Sequence, residues 1–404
     1  MSKFQAVRGT QDIFGEEGVK FHRVMGAAGQ VAHLYNYQSL MLPVFEETEV
    51  FARGLGETSD VVSKEMFSFE TKGGENVTLR PEFTAGVVRA FISNGMQQNL
   101  PLKFFSYGPV FRYERPQKGR YRQFHQVNFE FFGIKDFYAD VEIITLAAQL
   151  LESLGIKENV KLQINTLGDK ESRANYTKAL VEYFNQHADK LSEDSKKRLE
   201  KNPMRILDSK DAADKAIVAN APVMQDHLND ESKAFFRGVL TNLEISFEVV
   251  VNPRIVRGLD YYNHTVFEFV AESDNMGAQN TILAGGRYDG LVTELGGNET
   301  PAIGFAAGIE RLMMMLPEAP ETKTLAAVVS DNIERTLEVS AHLRANNIAA
   351  EALFTGNFKK KVQKADKINA SHIVFVFEDK MELKNMITGE QKELKLEEIL
   401  REIK

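Results

Sequence analysis

The chain reads as a mixed α and β protein of two domains, and three observations predict this. The first 320 residues or so alternate helical patterns with β-rich runs. A polar stretch from about 168 to 248 interrupts them with apolar residues at helical spacing. The segment from 325 to 404 then alternates strand-like and helix-like patterns, as a small α/β domain with a largely parallel sheet does. At 404 residues the chain is too long for one small domain and suits two or three.

Each element has its own signal. VTLR, KFFSYGPVFRYE and FHQVNFEFFG are rich in β-branched and aromatic residues, which favour strands. Pro43, Pro81 and Pro109 are expected to end or interrupt segments. In the polar stretch, Tyr176, Leu180 and Tyr183 stand at i, i+4 and i+7, one face of a helix. ISFEVVVNPRIVRGLDYYNHTVFEFV resumes the β pattern, and the glycine-rich AGGRYDGLVTELGGNETPAIGFAAGIERL ends in a helix. PEAPETKT (317–324) reads as a linker. Beyond it LAAVVS, IAAEALF and IVFVFE read as strands. Ile333, Leu337, Ala341 and Arg344 predict a helix with an aliphatic edge, and another helix starts at Phe358.

Composition excludes several functions. With no cysteine there is no disulfide, thiolate zinc site or cysteine nucleophile. No apolar run approaches the ~18 residues needed to span a membrane, and MSKFQAVRGTQDIF lacks the apolar core of a signal peptide. These features predict a soluble cytoplasmic protein. The net charge of −8 opposes nucleic acid, so any RNA must be met by local basic patches. GxxxxGK[ST], GxGxxG after a strand and HExxH are all missing, and the eight histidines are scattered. A nucleotide would need another device.

Four constellations suit that role. FRYERPQKGRYRQFHQ places Arg112 on a strand and Arg115, Lys118, Arg120 and Arg122 around its loop. Guanidinium forks match phosphate and carboxylate, although a solvated basic hairpin has the same sequence. In LRPEFTAG, Glu82 opens a helix and either receives an ammonium group, with the Thr84 hydroxyl beside it, or compensates the helix dipole. In RGLDYYNHTVFEF, Arg257 offers a phosphate partner, and Tyr261 and Tyr262 either bracket an aromatic ligand or half-bury in a turn. In AIGFAAGIERL, Gly304, Ala306, Ala307 and Gly308 permit close packing, against a flat ligand or merely between helix and sheet, and Arg311 follows on the helix.

Taken together, AVRGTQDIF, LRPE, ERPQKGRYRQFHQ, RGLDYY and AGGRYDGL resemble the motifs of the histidyl-tRNA synthetases, a class II aminoacyl-tRNA synthetase family. The resemblance covers nearly the whole chain. It implies a catalytic domain (1–320) on a six-stranded antiparallel sheet, with the helical insertion at about 168–248. It also implies a C-terminal α/β anticodon-binding domain (325–404) and a homodimer. The implied reaction joins L-histidine to the 3′ end of tRNA(His), using ATP with Mg2+. The implied roles put Arg112, Arg257 and Arg311 at the catalytic centre, with Arg112, Arg120 and Arg311 on ATP. Glu82 and Thr84 take the amino group, with Phe83 beside them. Gln126, Glu130, Tyr261 and Tyr262 line the rest of the histidine pocket, with Glu130 and Tyr262 on the imidazole. Lys118, Lys359 and Lys360 are the expected tRNA contacts. On the helix from Phe358, the expected apolar face is Phe358, Val362 and Ala365, with Lys359, Lys360, Lys361, Lys364 and Lys367 elsewhere. The alternatives are a non-catalytic, histidine-sensing paralogue that regulates ATP phosphoribosyltransferase, and a class II enzyme for another amino acid. Retention of Arg112, Arg257 and Arg311 weighs against the first, and RGLDYY against the second.

Overall fold

Strand and helix formation follow from where apolar side chains recur. A computed structural model describes residues 4–56, 59, 61–158, 160–255, 259–272, 280–317 and 325–403. The chain divides into two compact units between Pro317 and Glu318. Of PEAPETKT only Pro317 is among the described residues.

In chain order the larger unit contributes β1 (Gln38–Ser39), β2 (Phe45–Glu47), β3 (Phe67–Glu70), β4 (Asn76–Leu79), β5 (Leu102–Phe111), β6 (Gln123–Phe132), β7 (Val160–Thr166), β8 (Glu248–Val251), β9 (Asn263–Ala271), β10 (Thr281–Arg287) and β11 (Ala302–Gly308). Six of them, in the order β5-β6-β11-β10-β9-β7, form the antiparallel sheet the resemblance implies. Two short strands extend it: β1 pairs parallel with β5, and β8 pairs parallel with β7. Eight strands therefore stand where six were expected, because each edge offered free backbone groups to a passing segment. The β2-β4-β3 sheet is separate.

The alternation of β6 divides the unit. Val127, Phe129 and Phe131 enter a core closed by the helices Gly15–Leu34, Tyr138–Ser153, Asp230–Asn242 and Ile309–Met315. Gln126, Asn128 and Glu130 occupy the opposite face and are themselves buried. Pro109 does not end β5; it lies within the strand opposite His125. Beyond the two residues covered by β1, that side of β5 has no ladder to donate to, so the missing N–H is tolerated.

The helical insertion follows β7 and precedes β8. Its helix Lys170–Asn185 buries Tyr176, Leu180 and Phe184, while Tyr183 is only partly buried. These residues share one continuous core with Phe91, Phe132, Tyr261, Tyr262 and Tyr288 on the polar side of the sheet.

The smaller unit holds β12 (Leu325–Val329), β13 (Ala349–Ala352), β14 (His372–Val376), β15 (Met381–Asn385) and β16 (Gln391–Glu393), in the order β13-β12-β14-β15-β16. The β13-β12-β14 pairings are parallel and the last two antiparallel, so the sheet is mixed rather than largely parallel. The helix Ile333–Ala345 forms, but it turns Thr336, Val339, Ser340 and Leu343 inward. Ile333 and Leu337, the expected edge, are about half exposed. On the helix Phe358–Lys367, Ala365 is buried as expected, whereas Lys361, expected off the apolar face, is buried too, and its Nζ donates to Ser330 O at 2.5 Å. A long amphipathic stem explains the lysine: its carbons fill the apolar face while its amine finds a carbonyl.

One buried ion pair ties the larger unit together. Arg287 and Asp140 have fully buried side chains and bond directly. Arg287 also donates to Ile134 O at 3.0 Å, Asp136 O at 3.2 Å and Asp289 Oδ1 at 3.2 Å. Removing one partner leaves an uncompensated buried charge, so Arg287→Met is expected to destabilise by ~3–5 kcal/mol in urea titration. Arg287→Met combined with Asp140→Leu should cost less than Arg287→Met alone; an equal or larger loss would show that the ion pair is not what matters.

Candidate active site

The polar face of β6 forms the floor of a cavity of about 380 Å³. Its walls come from the start of the helix Thr84–Ser93, the hairpin between β5 and β6, the 259–262 turn, and β9, β10 and β11.

At one end the chemistry is acidic. Glu82 accepts from Thr84 N at 2.6 Å and Ala85 N at 2.8 Å, so its carboxylate caps the helix and also lines the cavity. Burial raises its pKa, opposed by those backbone bonds and by Arg112. Gln126 lines the cavity nearby on β6, and its buried Oε1 has no hydrogen-bond partner. An ammonium group supplies the donors this set requires.

Glu130 lies one layer deeper, with no exposed surface. Oε1 accepts from the Thr84 hydroxyl at 2.6 Å and from Asn128 Nδ2 at 2.9 Å; Oε2 accepts from the Tyr288 hydroxyl. Three donors favour the anion and burial opposes it. Burial wins, and the carboxyl is pushed up to about 7. Gly304, directly opposite on β11, leaves the space that Glu130 fills; a Cβ there would collide with Oε2. Tyr261 and Tyr262 stand at 4.4 Å between ring centroids, with their hydroxyls 3.4 Å apart, and Tyr261 lies 5.6 Å from Tyr288.

At the other end the chemistry is basic. Arg112 stands one residue past β5, not within it, with its N–H on Arg122 O at 2.9 Å and Nε on Pro81 O at 2.9 Å. Arg120 ion-pairs with Glu114 and, at 3.8 Å, with Glu65. Arg311 donates to Gly119 O at 3.2 Å and Thr281 O at 2.7 Å. Burial lowers the pKa of Arg311, and the positive charges of Arg112 and Arg120 lower it further. Three guanidiniums around one cavity make an anion site.

The structure thus brings Glu82, Thr84, Arg112, Arg120, Gln126, Tyr261, Tyr262 and Arg311 to a single cavity, with Glu130 beneath them. Phe83 is elsewhere: it is buried under the Arg80 guanidinium, 4.3 Å from its ring centre, because the helix start turns it away from its neighbours Glu82 and Thr84. Arg257 lies outside the described residues. Lys118 is exposed at the hairpin tip, and Lys359 and Lys360 are exposed in the smaller unit. Tyr288 and Asn128 were not singled out from sequence. The unbroken alternation of Gln126, Asn128 and Glu130 with three apolar residues was the available signal for Asn128, and the tyrosine inside AGGRYDGL was the signal for the other.

Residues 9–312 match the family described as histidyl-tRNA synthetase. The chain belongs to the histidyl-tRNA synthetase family. The histidine–tRNA ligase of Novosphingobium aromaticivorans is 52% identical over 378 residues, 92% of this chain and 90% of that one. The histidine–tRNA ligase of Gluconacetobacter diazotrophicus is 49% identical over 408 residues, 99% and 98% of the two chains. The crystal structure of apo S. aureus histidyl-tRNA synthetase is 33% identical, superposes with a TM-score of 0.79 and covers 99% of both chains. Membership in the histidyl-tRNA synthetase family makes this chain a class II aminoacyl-tRNA ligase and favours that reading over the regulatory paralogue.

Glu130 also links the site to stability. Its folded pKa, about 7, lies above the ordinary glutamate value. Its contribution is therefore present in full below the unfolded value and is lost as pH rises through about 7. Glu130→Gln, which carries no charge at any pH, should melt close to wild type near about pH 5 and above wild type near about pH 8. A melting difference that stays flat between those values would remove the buried anion from the account.

Proposed function

We propose that this chain activates L-histidine with ATP in the cavity and passes it to the 3′ end of tRNA(His). The observation that carries the reading is the pairing of a buried, hydrogen-bonded carboxylate site with three converging guanidiniums in one cavity. The histidine ammonium group meets Glu82, Thr84 and Gln126. Its imidazole meets Tyr262 on the cavity wall, with the Glu130 carboxyl beneath it. Arg112 holds the α-phosphate and the histidine carboxylate, Arg311 the γ-phosphate, and Arg120 closes over ATP. By resemblance, Arg257 joins them at the α-phosphate.

A histidine carboxylate oxygen attacks the α-phosphorus, and the bond to the β-phosphate oxygen breaks as pyrophosphate leaves. The nucleophile is already an anion, so no general base is required. Catalysis rests on positioning and on neutralising charge at the phosphate oxygens. A terminal ribose hydroxyl of the tRNA then attacks the acyl carbon and AMP departs. Magnesium enters with ATP as part of the substrate. Among the described residues no group of three His, Asp or Glu side chains would hold a metal unaided. Glu268 and Glu310 line the cavity with Arg311 and suit an ion carried on the phosphates.

The smaller unit is the anticodon-binding domain in this reading, with Lys359 and Lys360 on the tRNA backbone and Lys118 as a further contact from the larger unit. The protein works in the cytoplasm; no described helix is long and apolar enough to cross a membrane. It works as a homodimer, and the exposed Met41, Phe45, Phe69 and Tyr113 offer apolar surface for a second copy.

ATP–pyrophosphate exchange tested with all twenty amino acids should proceed with histidine alone; another preferred amino acid overturns the reading. In the same assay Arg257→Ala should lose ~100 to 1,000-fold in rate with an unchanged melting temperature. Near-normal exchange would remove that role. Binding of tRNA should weaken steeply with salt, and the double variant Lys359→Ala, Lys360→Ala should flatten the logarithmic slope by about one per lysine. A slope unaltered by the double variant would take the smaller unit's lysines off the tRNA.

A further inference from the structure

Tyr262 is a partition. Together with Leu259 it lines the main cavity on one side and, on the other, a small cavity of about 20 Å³ whose remaining walls include Arg173, Asn202, Met204 and Arg205 of the helical insertion. The insertion grips the backbone and side chains of this turn directly. Arg173 Nη1 donates to Tyr262 O at 2.8 Å. Asp260 Oδ1 accepts from Asn202 Nδ2 at 2.9 Å, Arg205 Nη2 at 3.0 Å and Arg205 Nε at 3.1 Å. The Arg205 side chain is 11% exposed, so solvent screens the pair only in part. On the far side of Asp260, Gly56 adopts φ +82°, where a Cβ would meet Asp260 Oδ2 at 2.5 Å. Asp260 is therefore held between the insertion and the turn after the helix Thr48–Leu55.

Packing points the same way. Met204, Ile206 and Leu207 of the insertion share one buried cluster with Tyr261, Tyr262 and Tyr288. Asp208, at the end of the same short helix, reaches the main cavity itself. Burial of Arg173 lowers its pKa while Asp260 opposes that shift, which places the Arg173 guanidinium in the same electrostatic group.

We infer that the helical insertion forms a wall of the amino-acid pocket, and that Arg205 and Asn202 are positioning residues that set the Tyr261–Tyr262 pair through Asp260. The inference rests on the histidine-activating role proposed above. It makes the first step, which involves no RNA, dependent on the insertion. Arg205 touches neither substrate, so its loss acts on the placement of Tyr262. That predicts a defect confined to the amino acid, because the arginines around ATP are held by other elements.

The test is steady-state ATP–pyrophosphate exchange without tRNA, with full-length protein. Arg205→Met should raise KM for histidine about tenfold and leave KM for ATP within about twofold, since hydrogen bonds to a charged group are among the stronger ones. Arg205→Lys keeps the charge but loses the fork, and should recover part of the loss. Asn202→Ala removes one donor of the set and should raise KM for histidine about threefold; it serves if Arg205→Met fails to fold. Variants that melt with wild type and keep its KM for histidine overturn the inference, as does an equal rise in both KM values. A wild type without histidine-dependent exchange sinks the functional reading and the inference with it. A normal wild type beside an unaltered Arg205→Met sinks the inference alone.

Discussion

A carboxylate with no solvent contact has to be compensated on every side, and Glu130 at the centre of the sheet sets that requirement for its surroundings. Its donors come from three elements: the helix that starts at Thr84, its own strand through Asn128, and Tyr288 just past β10. Each has to arrive in register. The β6–β11 pairing sets Gly304 opposite Glu130, and a slip of one residue would set Ile303 or Phe305 there and fill the space. Tyr288 is clamped on both sides. Arg287 is tied to Asp140, and Asp289 accepts from Asn263 Nδ2 and from Ala302 N. The fully buried pair of Arg287 on β10 and Asp140 on the helix Tyr138–Ser153 thereby supports a hydroxyl in the pocket rather than stability alone.

The basic end of the cavity follows a different logic. Arg112, Arg120 and Arg311 repel one another, so each has to be held in place before any phosphate is present. Carbonyls and carboxylates do this: Pro81 O for Arg112, Glu114 and Glu65 for Arg120, Gly119 O and Thr281 O for Arg311. Charges oriented in advance need little reorganisation when a phosphate oxygen gains charge, which is what transition-state stabilisation demands. Acidic and basic ends share one floor because β6 runs beneath both, from Phe124 near Arg112 to Glu130.

Much of this was legible in the residues. Strands rich in aromatic and β-branched residues were placed correctly, and motif order was enough to identify the family. What stayed hidden depends on contacts between distant positions. Arg287 and Asp140 stand 147 residues apart, and neither carries a local sign that the other is its partner. Phe83, turned away from the cavity by the helix start, packs under Arg80, a residue the LRPE pattern shows only as the one before a proline. The helix Ile333–Ala345 was predicted by spacing, but two stripes competed for burial. Small Thr336 and Ser340 won over Ile333 and Leu337 because their hydroxyls bond back to carbonyls of the preceding turn and let the helix sit close. Lys361 was expected off the apolar face, yet the Ser330 carbonyl just past β12 draws it inside.

The pairing of β6 with β11 also bears on how the protein is made. Asn128 on β6 bonds to Phe305 O on β11, 177 residues later. At ~5–20 residues per second, β6 would leave the ribosome on the order of 10 s before the strand that completes its polar face. Throughout that interval Gln126, Asn128 and Glu130 have no sheet to cover them on that side. A polar stripe at this position keeps a waiting strand hydrated, where an all-apolar one would invite association with other nascent chains. The residues that form the floor of the pocket would thus protect the chain during synthesis before they serve it in function.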